Sequence, residues 1–215
     1  IGYLDLLKQA DITEAERDEY IQRTGDEIER INSIIRQLLE VSRPSDTART
    51  AVSVHDLIHD TADVLRVQPL MSNIELTLDL AATKDAVLAD PDQLRQVFLN
   101  LIINAADAIS GDEKINSGKL KISTRIEKKG DNDSPGASDQ LEIMLVDNGP
   151  GIAEENLSNI FDPFFTTKDP GRGTGLGLSV SFMIVESLEG KMTGFSELGK
   201  GTAMIIALPL YQHEQ

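Results

Sequence analysis

Over residues 91–209, a largely apolar succession of helix-like and strand-like segments is broken by four short polar and glycine-rich clusters. They are Asn100-Leu101-Ile102-Ile103-Asn104, Asp147-Asn148-Gly149-Pro150-Gly151, Gly173-Thr174-Gly175-Leu176-Gly177-Leu178-Ser179 and Gly199-Lys200-Gly201-Thr202. Their setting restricts the fold. The strand-like run Leu141 to Val146 must stop at Asp147 in a glycine turn, and a glycine-rich segment must then enter an apolar helix containing Val180, Met183, Ile184 and Leu188. That segment places glycine at every second position, which is not the dinucleotide fingerprint. Gly194 to Lys200 comes near a P-loop but has Gly201 where the metal-binding hydroxyl belongs.

The remaining elements follow from caps and periodicity. Asp90-Pro91 starts a helix with proline at its first position. Ser53 is placed to cap another that turns Val54, Leu57, Ile58 and Leu65 inward. Residues 74–80 alternate Ile, Glu, Leu, Thr, Leu, Asp, Leu, as a half-buried strand does, and strand-like runs recur at about 119–126, 141–147, 191–196 and 202–209. Residues 128–139, rich in Lys, Gly, Asp and Asn, read as a mobile hairpin loop. Five strands interleaved with three helices predict an α+β fold, a two-layer α/β sandwich with a mixed sheet.

The first 45 residues have a different character. Residues 1–9 read as the end of a helix, and Thr13 with Glu16 forms a capping box for a second one running to about Ser42. Ile21, Ile28, Ile31, Ile35 and Leu38 form its seam, interrupted by Gly25 at a cost of roughly 1 kcal/mol relative to alanine. Two antiparallel helices with one seam each bury themselves poorly, so a homodimeric four-helix bundle through residues 1–42 is expected. The expected division is a helical module over 1–45, a linker over 46–52 and an α/β domain over 53–215. Because the chain opens at Ile1 inside an apolar pattern, it reads as a fragment of a longer protein.

Composition removes several function classes. A net charge of -16 argues against a nucleic-acid surface. The absence of cysteine excludes disulfides and thiolate metal sites and suits a cytoplasmic protein. No apolar run approaches the roughly 20 residues needed to span a bilayer, so no membrane contact is expected of these residues, although a longer parent could be anchored.

The clusters carry the chemistry. On the helix after Pro91, Leu94, Val97, Phe98, Leu101, Ile102 and Ala105 form a core stripe, while Gln96, Asn100, Asn104 and Asp107 share another face. Carboxamide oxygens suit Mg²⁺ beside waters and phosphate oxygens, and such a face is equally that of a solvated helix. A carboxylate at the end of a strand, as at Asp147, can accept from the exocyclic amine of adenine and rejects the carbonyl of guanine; the same residues also make an ordinary tight turn. Open amides at the start of the helix near Gly177 would receive phosphate oxygens. Phe161-Asp162-Pro163-Phe164-Phe165-Thr166-Thr167-Lys168 reads as an aromatic-clamped lid or as a small satellite core. Lys168 and Arg172 either reach phosphates or are solvated loop charges. His55 and His59, four apart, read as a solvated face rather than a metal pair.

These residues together resemble the ATP-binding catalytic domain of sensor histidine kinases, within the superfamily that includes type II topoisomerases, mismatch-repair ATPases and heat-shock chaperones. Asn100 to Ile109 resembles the N box, Asp147 to Ile152 the G1 box, Phe161 to Lys168 the F box, Gly173 to Ser179 the G2 box and Gly199 to Thr202 the last glycine box. The resemblance implies ATP and Mg²⁺ as cofactors, with Asn104 on the metal, Asp147 reading adenine and Thr202 helping to hold it. It implies nucleotide contacts by Asn104, Asp107, Asp147, Gly149, Gly151, Ile152, Lys168, Gly173, Thr174, Gly175, Leu176, Gly177, Leu178 and Thr202. Residues 154–175 would form the ATP lid.

Asn100, Asn104 and Lys168 would stand at the reacting phosphates. Asn100 replaces the glutamate base of the topoisomerase relatives, which favours phosphotransfer over hydrolysis. The γ-phosphoryl would pass to a histidine and then to an aspartate of a response-regulator receiver domain. Ile1 to Leu7 resembles the stretch just after the phosphoacceptor histidine, which the chain lacks, so the fragment would not phosphorylate itself. Asp107 departs from the lysine common at that place, and with Phe164 to Lys168 it points to the nitrogen-regulation subgroup. The rival readings are a hydrolysing ATPase of the superfamily and a non-enzymatic, nucleotide-responsive scaffold; a Ser/His/Asp hydrolase is weakest, for lack of a nucleophile elbow.

Overall fold

The structure is a computed structural model that describes residues 12–25, 49–112, 115–128, 139–168 and 173–212. Residues 14–25 form helix α1, opened by the expected capping box. Thr13 Oγ1 accepts from the Glu16 amide at 3.2 Å, and the Glu16 carboxylate accepts from the Thr13 amide at 2.9 Å. Ile21, on this helix, is 55% exposed. The first helix, the seam beyond Gly25 and most of the 128–139 loop lie outside the described residues.

The elements that follow are β1 (Thr50–Ser53), α2 (Val54–Arg66), a 3₁₀ turn (Pro69–Met71), β2 (Ile74–Leu80), β3 (Ala86–Ala89) and α3 (Pro91–Ser110). Then come β4 (Gly118–Glu127), β5 (Gln140–Asp147), α4 (Glu154–Leu157), α5 (Gly177–Ser187), β6 (Lys191–Glu197) and β7 (Gly201–Pro209). Five strands form one mixed sheet in the order β2-β4-β5-β7-β6, with β2 parallel to β4 and the other pairs antiparallel. All five expected strands are present. A separate antiparallel pair, β1 with β3, is additional and was not foreseen. It is four residues per strand, too short for alternation to show, and it draws Thr50 to Val52 out of the stretch read as linker into a ladder with Val87 to Ala89.

Helix starts agree with their sequence signals. Ser53 caps α2 by accepting from the Asp56 amide, and Asp90 caps α3 by accepting from the Asp92 amide. α3 runs between α2 and α5 and packs on β4 and β5. Its stripe of Leu94, Val97, Phe98, Leu101, Ile102 and Ala105 is buried as expected.

Strand register builds the opposing wall in cross-strand rows. Leu80, Thr124, Ile143, Ile206 and Met192 form one row, and Leu78, Ile122, Leu145 and Met204 the next. A third row begins with Leu76 and Leu120 and arrives at Asp147. The alternation that buries Leu141, Ile143 and Leu145 therefore turns the Asp147 carboxylate into the same interlayer space.

His55 corrects the reading of a solvated pair. Its ring is half-buried, with Nε2 2.9 Å from Thr124 Oγ1, while its backbone amide donates to Asp85 at 2.9 Å. His59, four residues on, is exposed, and no cluster of three metal-ligating acids or histidines exists among the described residues. No described helix is long and apolar enough to cross a membrane.

Truncating Phe98 to alanine at the centre of the interlayer core is expected to cost about 3–5 kcal/mol of folding stability. Urea denaturation followed by far-UV circular dichroism checks this.

Candidate functional site

A cleft of about 520 Å³, including its open mouth, lies where α3 crosses the ends of β5 and β7. Its walls are apolar: Leu101, Ala105 and Ala108 of α3, Leu120, Leu145, Ile152, Leu178 and Met204. Its polar groups are few: Asn104, Asp147 and Thr202. A mostly apolar cleft with a few convergent polar groups is the usual form of a site for a small organic ligand.

Asp147 is 9% exposed. Its Oδ1 accepts from the Gly149 amide at 2.8 Å and from the Thr202 amide at 3.2 Å. Oδ2 takes no hydrogen bond among the described residues. Burial pushes its carboxyl above the ordinary aspartate value, against the opposing pull of the two amides.

The glycines around it are sterically required. Gly151 has φ +75°, and a Cβ there would run into the Glu197 carbonyl. Gly201 has φ +102°, and a Cβ there would meet the backbone of Asp147 itself. The Asp147–Ile152 turn and the β6–β7 hairpin thus lie backbone to backbone, tied further by Gly199 N–H to the Pro150 carbonyl at 2.7 Å.

On the helical wall, the Asn104 carboxamide reaches the cleft and makes no side-chain hydrogen bond among the described residues. Asn100, one turn earlier, is outside the lining. Its Nδ2 donates to the Gly177 carbonyl at 3.1 Å and to Ser181 Oγ at 3.2 Å, tying α3 to the first turn of α5. That turn has no side-chain cap, unlike α2 and α3, so its leading amides stay open beside Asn100 and Asn104.

Residues 161–165 are partly core. Phe161 packs on Phe182 with ring centroids 5.1 Å apart, and Phe161, Phe165 and Phe182 all pack against the main core rather than forming a satellite core. Phe164 is exposed with φ +69°, and its amide donates to the Gly175 carbonyl at 3.0 Å. Gly175 itself has φ +67°, and a side chain there would clash with the Phe164 carbonyl.

Asp107 and Lys168 were read as separate nucleotide contacts. They form an ion pair at 2.6 Å, each about one-third exposed. Gly173 and Thr174 lie farther along this segment, and neither lines the cleft. Arg172 and His213 lie outside the described residues.

Sequence reading missed Ser196. Its hydroxyl accepts from the Ile152 amide at 2.7 Å, donates to the Gly201 carbonyl at 2.8 Å and lies 2.9 Å from Thr202 Oγ1. Its parity with Met192 on β6 was legible, but the register that sets it opposite Thr202 was not.

Residues 89–212 match the model of the family described as histidine kinase-, DNA gyrase B-, and HSP90-like ATPase, more than half of the chain. The chain belongs to this ATPase family. Among curated relatives, Sporulation kinase E of Bacillus subtilis is 33% identical over 214 residues, all of this chain and 27% of the relative. Signal transduction histidine-protein kinase AtoS of Escherichia coli is 34% identical over 209 residues, 97% of this chain and 32% of the relative. The chain therefore spans about a third or less of the length of these relatives. The catalytic domain of histidine kinase ThkA is 29% identical with a TM-score of 0.60, covering 75% of this chain and 95% of that one. Within the ATPase family, the α/β unit is thus similar to the catalytic domains of histidine kinases.

The Asp147→Asn variant is expected to be more stable than wild type at neutral pH. With its folded pKa raised, Asp147 is destabilising when ionised. That penalty is complete above the folded value and disappears below the ordinary value of about 3.9. The gain measured by urea midpoint should therefore shrink as pH falls through the aspartate range.

Proposed function

We propose that the parent protein transfers the γ-phosphoryl of ATP to a histidine, and from there to an aspartate on the receiver domain of a response regulator. The observation that carries this reading is the single uncommitted oxygen of a buried carboxylate, Asp147 Oδ2, in an apolar cleft. Because both amides are taken by Oδ1, the cleft offers Oδ2 as a pure acceptor. That matches the amine of adenine and opposes the carbonyl of guanine.

The proposed base site is Asp147, Gly149, Gly151, Ile152 and Thr202, with Leu120, Leu145 and Met204 against the ring faces. Gly173, Thr174, Gly175, Leu176, Gly177 and Leu178 are proposed to cradle the phosphates, supported by the uncapped start of α5. The free Asn104 carboxamide fits Mg²⁺ as one oxygen ligand among waters and phosphate oxygens. Bound there, the metal would neutralise phosphate charge during transfer. Lys168 is proposed to turn from Asp107 to the phosphates when they arrive, since the triphosphate is the stronger anion. Asn100 is proposed to act by holding α3 to α5 and not as a proton acceptor, because a carboxamide cannot take a proton at neutral pH.

The acceptor imidazole is proposed to lie outside these residues: His55 is held by Thr124, and His59 is on the far side of α2 from the core. Residues 1–45 are proposed as the dimerisation and phosphoacceptor module, 46–52 as linker and 53–215 as the catalytic domain, with a lid over 154–175. The exposed Ile21 supports a homodimer through residues 1–42. The nitrogen-regulation-like subgroup is proposed from Asp107 with Phe164 to Lys168. A cytoplasmic location for this part suits a protein that consumes ATP.

Isothermal calorimetry with a non-hydrolysable ATP analogue tests the site. Asp147→Asn should lose about tenfold or more in affinity, since Oδ1 keeps the two amides and an NH₂ then faces the adenine amine. Asn104→Ala should lose the Mg²⁺ dependence of binding while keeping adenine selectivity. Undiminished binding by Asp147→Asn would overturn the assignment.

A further inference from the structure

Ser196 contributes no atom to the lining of the cleft, yet three hydrogen bonds converge on its hydroxyl. A serine hydroxyl has one proton and two lone pairs. The Gly201 carbonyl, 2.8 Å away, has no proton to offer, so the Ser196 proton must point there. The Ile152 N–H, 2.7 Å away, takes one lone pair. What remains on Ser196 is a single lone pair facing Thr202 Oγ1 at 2.9 Å. Thr202 must therefore be the donor of that bond. With its only hydroxyl proton committed to Ser196, Thr202 can meet a ligand in the cleft only as an acceptor.

Asp147 Oδ2 is likewise an acceptor only. Strand register places the two side by side. Val146 pairs with Ala203, so Asp147 faces Thr202 at the next step, and Thr202 in turn pairs with Ser196. We infer that Ser196 is a positioning residue for base selectivity: it fixes the polarity of the Thr202 hydroxyl so that the cleft presents two adjacent acceptors and no hydroxyl donor. Such an edge favours a purine bearing an amino group and disfavours one bearing a carbonyl at the same place. The inference rests on the proposal that the cleft holds the nucleotide base. Without Ser196, the Thr202 hydroxyl is released to rotate and donate, and the carbonyl-bearing base gains a partner.

The test is calorimetric binding of ADP and IDP, adenine against hypoxanthine, to wild type, Ser196→Ala and Ser196→Thr, with thermal unfolding of each. Wild type should prefer ADP. Ser196→Ala should narrow the ADP-to-IDP affinity ratio by about five- to tenfold, the worth of one neutral hydrogen bond. Ser196→Thr, which keeps the hydroxyl, should retain the wild-type ratio. If Ser196→Ala binds both nucleotides more weakly by the same factor, or leaves the ratio unchanged, Ser196 is merely structural and the inference is overturned. If wild type binds neither nucleotide, the base-site reading falls and the inference falls with it.

Discussion

A carboxylate between a sheet and a helical layer is costly, and Asp147 is tolerable there because two backbone amides converge on one of its oxygens. Those amides come from opposite directions, Gly149 just beyond the end of β5 and Thr202 at the start of β7. Bringing both within hydrogen-bonding distance presses the Asp147–Ile152 turn against the β6–β7 hairpin. The contact is close enough that Gly151 and Gly201 admit no Cβ. Two of the glycine clusters in the sequence thus exist to let one buried charge be solvated by main chain. The other carboxylate oxygen takes no hydrogen bond among the described residues.

The helical wall meets the same cleft through a division of labour on α3. Phe98, Leu101 and Ile102 fix the helix on the sheet, while Asn100 ties it to the first turn of α5 through the Gly177 carbonyl. That tie brings the uncapped amides of α5 beside the free carboxamide of Asn104. The proposed base and phosphate sites are therefore built on different layers and joined by packing. The excess of negative charge on the chain does not oppose the proposed site, since oriented amides act locally. In the proposed site, the Lys168–Asp107 ion pair at 2.6 Å would have to open for the lysine to reach a phosphate.

Much of this was legible in the sequence. Asp90-Pro91, Ser53 and Thr13 with Glu16 marked helix starts by local capping chemistry, which needs no tertiary information. The alternation over 74–80 and the end of β5 at Asp147 were likewise local. The β1–β3 pair was missed because four-residue strands carry almost no periodicity and their partner lies more than thirty residues away. His55 was misread as solvated because Thr124, which engages it, is brought there only by β4 in the folded sheet. Ser196 and the Asp107–Lys168 pair were missed for the same reason: each depends on register or on a lid path that side-chain type alone does not encode.

The most direct measurement is a crystal structure of the chain with a non-hydrolysable ATP analogue and Mg²⁺. The account predicts the adenine amine within hydrogen-bonding distance of Asp147 Oδ2, about 2.7–3.2 Å, with the phosphates at the start of α5. A base bound elsewhere, or an Asp147 Oδ2 that stays unengaged while the nucleotide occupies the cleft, would contradict it.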